Sequence, residues 1–208
     1  MNLPVVEIFR SMQGEGANTG KPVVFVRLGR CNLACPWCDT DFSATRPMPS
    51  EAIADAVDEC SDGVRAVVVT GGEPTVHPGL PELLRELKDR GYWLALETNG
   101  VNAPDTESSK LLDYMAVSPK AMYAELYDDE KMATKADEVR IVADGDTEDF
   151  CADMRSRISA RHYFISPCER DGVMDVATAV TLLGRLNSSQ RANPWLLSLQ
   201  THKLAGFR

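Results

Sequence analysis

The sequence predicts an α/β fold: a partial (β/α) barrel of about six parallel strands with an extra N-terminal strand. Three observations predict it. Short apolar, β-branched runs recur along the 208 residues, each bounded by turn residues. Helical patterns separate several of them, and such strand–helix alternation builds a parallel sheet. The units number six or seven, short of the eight that close a barrel.

The strand candidates, in order, are Val23–Leu28, Ala66–Thr70, Tyr92–Glu97, Tyr114–Ser118, Glu138–Ala143, His162–Ser166 and Trp195–Leu199. Pro4–Phe9 reads as the extra strand, packed outside the repeat. Ser50 is placed to cap a helix running to about Cys60. Pro78 opens a second helix, which carries Leu83, Leu84 and Leu87 and stops at Gly91. Further helices are predicted near Glu148–Ile158 and Asp175–Leu186. Asn102–Ser109 and Tyr123–Lys135 are polar and read as loops or short exposed helices. No repeat, low-complexity tract or domain boundary is visible, so residues 1–208 read as one domain.

Composition excludes several classes of function. Hydrophobic residues make up 44% and charged residues 25%, an ordinary globular balance. A chain of this length buries about 70% of its unfolded surface, so it needs no disulfides to hold a core. No apolar run approaches the ~20 residues of a membrane span. Met1–Arg10 lacks a basic region followed by an apolar stretch, so no signal peptide is expected and the expected compartment is the cytoplasm. With 31 acidic and 22 basic residues the net charge is -9, and no basic stripe marks a nucleic-acid partner.

The strongest feature follows the strand Val23–Leu28: Arg30-Cys31-Asn32-Leu33-Ala34-Cys35-Pro36-Trp37-Cys38-Asp39-Thr40. Three of the six cysteines fall within eight residues, on a loop at the C-terminal end of a strand, where α/β folds gather their chemistry. A structural zinc site wants four closed ligands, and His77, His162 and His202 are all remote in sequence. A four-iron cluster held by three thiolates keeps one iron open for another ligand. Two readings therefore stand: a cluster with an open iron, or a zinc knuckle completed by a distant Asp, His or Cys168. Cys60 and Cys151 read as small core residues.

The Cys-x3-Cys-x-aromatic-Cys spacing resembles the signature of the radical S-adenosylmethionine enzymes. That resemblance implies a 4Fe-4S cluster on Cys31, Cys35 and Cys38, with S-adenosylmethionine bound at the open iron and cleaved reductively to a 5′-deoxyadenosyl radical. It also implies the fold's core. Thr70-Gly71-Gly72-Glu73-Pro74, after the second strand, resembles the family's Gly-Gly-Glu motif, which assigns Gly72 and Glu73 to the methionine amino group. Glu97-Thr98-Asn99-Gly100 ends the third strand where the family uses polar side chains. Ser118-Pro119-Lys120 ends the fourth and is a candidate for the cofactor's carboxylate or ribose. Ser166-Pro167-Cys168-Glu169 is a candidate border for the adenine, although the family more usually has Gln-Pro there.

Within the superfamily the N-terminal segment is selective. Glu7-Ile8-Phe9-Arg10-Ser11-Met12-Gln13-Gly14-Glu15-Gly16, then Phe25-Val26-Arg27-Leu28, Asp39-Thr40 and Leu199-Gln200-Thr201-His202-Lys203 together resemble the 7-carboxy-7-deazaguanine synthase family over nearly the whole chain. The resemblance implies a 6-carboxytetrahydropterin substrate, a ring contraction with loss of ammonia, Mg2+ dependence, a homodimer and an electron donor such as flavodoxin. Arg27 suits the substrate carboxylate because its planar fork is always charged. Met12, Gln13, Gly14 and Thr70 are assigned to the substrate, Glu15 to its nitrogens, Thr40 to Mg2+, and Arg208 to the substrate through the terminal carboxylate. One departure is local: Arg30 stands where the family usually has Gly. A glycyl-radical activase of the same superfamily and a non-catalytic zinc module are the competing readings.

Overall fold

The computed structural model describes residues 1–38, 40–41, 44–128, 130–188 and 192–207. The strands are β1 (Asn2–Met12), β2 (Pro22–Leu28), β3 (Arg46–Pro49), β4 (Ala66–Gly71), β5 (Trp93–Thr98), β6 (Tyr114–Val117), β7 (Glu138–Ala143), β8 (His162–Pro167), β9 (Glu169–Arg170), β10 (Val173–Met174) and β11 (Trp195–Leu197). The α-helices are α1 (Ser50–Ser61), α2 (Leu80–Asp89), α3 (Thr106–Leu111), α4 (Glu148–Arg157), α5 (Val176–Leu186) and α6 (Thr201–Leu204).

One sheet takes nine strands in the order β11-β8-β7-β6-β5-β4-β2-β1-β3. All seven predicted runs become strands, and they pair in parallel from β2 to β11. The extra strand β1 runs antiparallel to β2, and β3 adds a second antiparallel edge. β9 and β10 form a separate hairpin.

Alternation along each strand sets two faces. In β2, Val24, Val26 and Leu28 point outward into a core under α1 and α2, together with Val67, Val69, Leu94 and Leu96. A second outer core joins Val139, Ile141, Ile165 and Trp195 to α4 and α5. On the inner face Val23, Ala66, Val68 and Ala95 form an apolar floor. Both faces being covered is why these strands read as near-continuous apolar runs.

Helix α2 shows the packing economy. Leu80, Leu83, Leu84 and Leu87 recur at helical spacing and all are buried. Each contributes about 2 kcal/mol of apolar burial. Leu84→Ala, which leaves a cavity under β4 and β5, costs several kcal/mol.

Two helix starts differ from expectation. Ser50 is the first helical residue and not the cap, because Pro49 pairs with Asn2 at the sheet edge and is held extended there. The buried Ser50 hydroxyl is left without a hydrogen-bond partner. Helix α2 begins at Leu80 and not at Pro78. Pro74–Val76 first makes a tight turn, and the Leu80 amide bonds the His77 carbonyl. Of the two polar stretches, one overlaps α3 and the other the end of a 3-10 turn over Ala121–Leu126. No helix among the described residues is long and apolar enough to cross a membrane.

Candidate active site

The strand ends open into one cavity of about 810 Å³, within the size range of small-molecule sites. Its floor is the top of the inner sheet face, where apolar side chains give way to Arg27, Thr70, Glu97, Ser118, Arg140 and Ser166. The cysteine loop and the segment between β1 and β2 both border the cavity.

The segment between β1 and β2 straps the open side of the partial barrel. The Gly16 amide donates to Ser198 Oγ at 2.9 Å and the Ala17 amide to Glu138 Oε2 at 2.8 Å. The Gly14 carbonyl accepts from the Thr201 amide at 3.0 Å, which fastens α6 to the strap. Gly14 and Gly16 have a steric reason. A Cβ on Gly14 would strike the His202 ring, and one on Gly16 would strike the Glu138 carboxylate. Gly14 thus contributes backbone and packing and does not itself line the cavity, whereas Met12, Gln13, Glu15 and His202 do.

Arg27 and Thr40 line the same cavity. Arg27 Nε pairs with Glu7 Oε1 at 2.8 Å, and its Nη1 donates to Thr40 Oγ1 at 3.1 Å. The two residues expected at the substrate carboxylate and at Mg2+ therefore touch.

The cysteine loop is pinned at several points. Asn99 Nδ2 donates to Asn32 Oδ1 at 2.7 Å, the Ala34 amide to Tyr123 Oη at 3.1 Å, and Trp37 Nε1 to Asp144 Oδ2 at 3.0 Å. The Leu33 amide points at Cys31 Sγ, 3.4 Å away. Cys31, Cys35 and Cys38 all line the cavity and all are free thiols. Burial pushes the Cys31 and Cys35 thiols up, so bound metal would have to hold them as thiolates. This donor set fits a cluster: three soft sulfurs, an amide aimed at one of them, and open space beyond. Among the described residues no three His, Cys, Asp or Glu side chains are gathered closely enough for a single ion. His77 is engaged elsewhere, its Nε2 lying 2.9 Å from the Gly29 carbonyl.

The cofactor candidates divide. Gly72, Ser118, Lys120, Ser166, Pro167 and Glu169 line the cavity, and Pro119 and Cys168 do not. Cys168 is buried at 3% exposure. Lys120 donates to Ser118 Oγ and to its carbonyl, both at 2.7 Å, and lies 5.7 Å from the Trp37 ring centre. Burial draws the Lys120 pKa down. Glu73 is turned inward and fully buried. Its Oε1 accepts from the Thr75 amide and hydroxyl and from Thr98 Oγ1, and its Oε2 accepts from the Asn99 amide at 2.6 Å. In this arrangement the carboxylate fixes the end of β5 and does not face the cavity. Arg208 and Asp39 lie outside the described residues.

Residues that the sequence reading missed sit beneath the strap. Arg140 contacts Glu15, Glu97 and Glu138, and Tyr114 donates to Glu138. A signal was present: Glu138 and Arg140 are two charges at alternate positions of an otherwise apolar strand, so both face the barrel interior.

Comparison with known proteins places the chain. Residues 26–151, more than half of it, match the Radical SAM superfamily. It is 51% identical to the 7-carboxy-7-deazaguanine synthase of Neisseria meningitidis, covering 98% of this chain and 93% of that one. It is 46% identical to the synthase of Haemophilus influenzae, covering 99% and 94%. The crystal structure of QueE from Escherichia coli shares the fold, with a TM-score of 0.71 at 24% identity over 96% of this chain and 94% of that one. The chain therefore belongs to the Radical SAM superfamily and, within it, to the 7-carboxy-7-deazaguanine synthases.

Proposed function

We propose that the cavity converts 6-carboxy-5,6,7,8-tetrahydropterin to 7-carboxy-7-deazaguanine and ammonia. The observation that carries this reading is the shared cavity: the cysteine rim and the Gln13–Glu15–Arg27–Thr70 wall border the same space. When bound, the cluster and S-adenosylmethionine supply a deoxyadenosyl radical that removes a hydrogen atom from the pterin.

Cys31, Cys35 and Cys38 hold the cluster. Gly72 borders the methionine amino group, Ser118 and Lys120 face the cofactor's carboxylate or ribose, and Ser166, Pro167 and Glu169 border the adenine. Lys120 offers an ammonium to a carboxylate, and burial, which by itself disfavours that charge, makes an anionic partner the more valuable to it. Arg27 binds the pterin carboxylate, Gln13 and Thr70 hydrogen-bond the ring, and Glu15 accepts from its N–H groups. Thr40 would give one oxygen to Mg2+, and water and the substrate carboxylate would supply its other ligands. A homodimer reduced by a flavodoxin-type donor completes the reading, supported by family resemblance, and the cytoplasm is the compartment expected from the composition of Met1–Arg10.

Anaerobic turnover tests it. Reconstituted protein is given S-adenosylmethionine, dithionite, Mg2+ and the carboxytetrahydropterin, and products are followed by mass spectrometry. Carboxydeazaguanine formed together with 5′-deoxyadenosine is the expected result. Deoxyadenosine without deazaguanine would point to a sibling substrate or to activation of a partner protein. Zinc in place of iron would reject catalysis of this type.

A further inference from the structure

Strand β7 places Glu138 and Arg140 on its inward face, and Arg140 is the hub of the site's charges. Its side chain is 6% exposed. Its Nη1 reaches Glu15 Oε2 on the strap at 3.1 Å, and its Nη2 reaches Glu97 Oε1 on β5 at 2.6 Å. Its Nε stands 2.9 Å from Glu138 Oε1, an ion-pair contact without hydrogen-bond alignment. Each acid then holds something else. Glu97 accepts from Gln13 Nε2 and from Thr70 Oγ1, both at 2.9 Å. Glu138 accepts from the Ala17 amide and the Tyr114 hydroxyl.

Gln13, Glu15 and Thr70 come from the strap and from β4, elements that approach from different sides. One guanidinium links them all, directly or through Glu97. Its planar fork reaches two carboxylates at fixed angles, which a lysine ammonium does not do. Without it, Glu15 and Glu97 would face each other as like charges in a poorly solvated space.

We infer that Arg140 is the positioning residue of the pterin-binding wall, holding Glu15 and Glu97, and through Glu97 the side chains of Gln13 and Thr70, in binding geometry. This inference rests on the functional reading above. It assigns Arg140 no contact with substrate. Arg140 contacts Glu15, Glu97 and Glu138, whereas the cysteine loop is pinned through Asn99, Tyr123 and Asp144, so loss of Arg140 should spare the cluster.

The test compares wild type, Arg140→Met and Arg140→Lys in the anaerobic assay. It reads iron per chain, S-adenosylmethionine affinity, pterin KM, kcat, and the ratio of deoxyadenosine to deazaguanine. Arg140→Met should keep iron and S-adenosylmethionine affinity within about twofold and raise the pterin KM at least about tenfold, the scale expected when a buried charge pair loses one member. The deoxyadenosine ratio should rise, because a misplaced pterin leaves radical events unproductive. Arg140→Lys should recover part of the KM. A pterin KM within about twofold of wild type in Arg140→Met overturns the inference. So does a parallel fall in iron and S-adenosylmethionine affinity, which would make Arg140 a brace for the whole barrel. If Arg140→Met does not fold, Arg140→Lys decides alone: an unchanged KM overturns the inference, and a raised KM with intact iron supports it. A wild type that leaves the pterin untouched overturns the functional reading and this inference together.

Discussion

The Arg30 carbonyl occupies the space where a side chain on Gly72 would begin. The same carbonyl accepts the Glu73 amide at 2.8 Å, and the Gly72 amide bonds the Leu28 carbonyl at 2.9 Å. The Gly-Gly motif thus lets the end of β4 lie flush against the start of the cysteine loop. Gly72→Ala is expected to push that loop off its pins, because the obstructing atoms are backbone and cannot rotate away. Reconstituted iron per chain should fall severalfold, toward the level of Cys35→Ala, while far-ultraviolet circular dichroism stays native. Gly184→Ala is the control. It lies in α5 with open space around it and should stabilise by about 0.5–1 kcal/mol with iron unchanged. Full iron in Gly72→Ala would refute the close-approach argument.

Arg30 itself is held at φ 62, in the left-handed region. For a residue with a Cβ this costs about 1–2 kcal/mol. Glycine relieves it but returns about 0.5–1 kcal/mol through greater unfolded-chain freedom. Arg30→Gly should therefore stabilise by about 0.5 kcal/mol, and Arg30→Val should destabilise by more than 1 kcal/mol. Urea unfolding of the three proteins side by side checks the order. If Arg30→Val were as stable as wild type, the strain would not be there.

The parallel strands were legible because burial on both faces writes them as apolar runs, and α2 because its leucines keep helical spacing. Helix starts were less legible. Pro49 is extended because it pairs with Asn2, a contact of long sequence separation that no local capping rule anticipates. The cysteine loop stands out by its spacing, and of the residues assigned to substrate Met12, Gln13, Arg27 and Thr70 line the one cavity, while Gly14 does not and Arg208 lies outside the described residues. Resemblance to the Gly-Gly-Glu motif assigns Glu73 to the methionine amino group, whereas here its carboxylate is buried. Its burial depends on Thr98 and Asn99 from the neighbouring strand end. Arg140 was passed over because inside an apolar strand it looked like sheet, and its partners come from segments up to 125 residues away.

Thr40 supplies the metal test. Its hydroxyl accepts from Arg27 at 3.1 Å, so it stands beside the residue proposed for the substrate carboxylate. With Thr40→Ala the Mg2+ concentration giving half-maximal turnover should rise about tenfold, with iron content unchanged, because one of few protein oxygens is lost. Thr40→Ser should behave as wild type. An identical Mg2+ titration in Thr40→Ala would remove Thr40 from the metal site and leave it as a partner of Arg27.

Glu97 supplies the pH test. Burial by itself would raise its pKa. Arg140, reinforced by hydrogen bonds from Thr70 and Gln13, outweighs that and holds it below its ordinary value of 4.5. The sign follows. A carboxylate with a depressed folded pKa contributes stability that is fully present above the unfolded value and is lost as pH falls through the folded one. At pH 7 Glu97→Gln should be less stable than wild type, because Arg140 keeps only Glu15 and Glu138 as charged partners. As pH drops from 4.5 through the lower folded value, wild type takes up the proton and loses the advantage, so the gap in Tm should close. Thermal unfolding of both proteins between pH 7 and pH 3 checks this. A gap constant across that range would mean that the mutation acts through shape, and that the charge shared with Arg140 contributes nothing to stability.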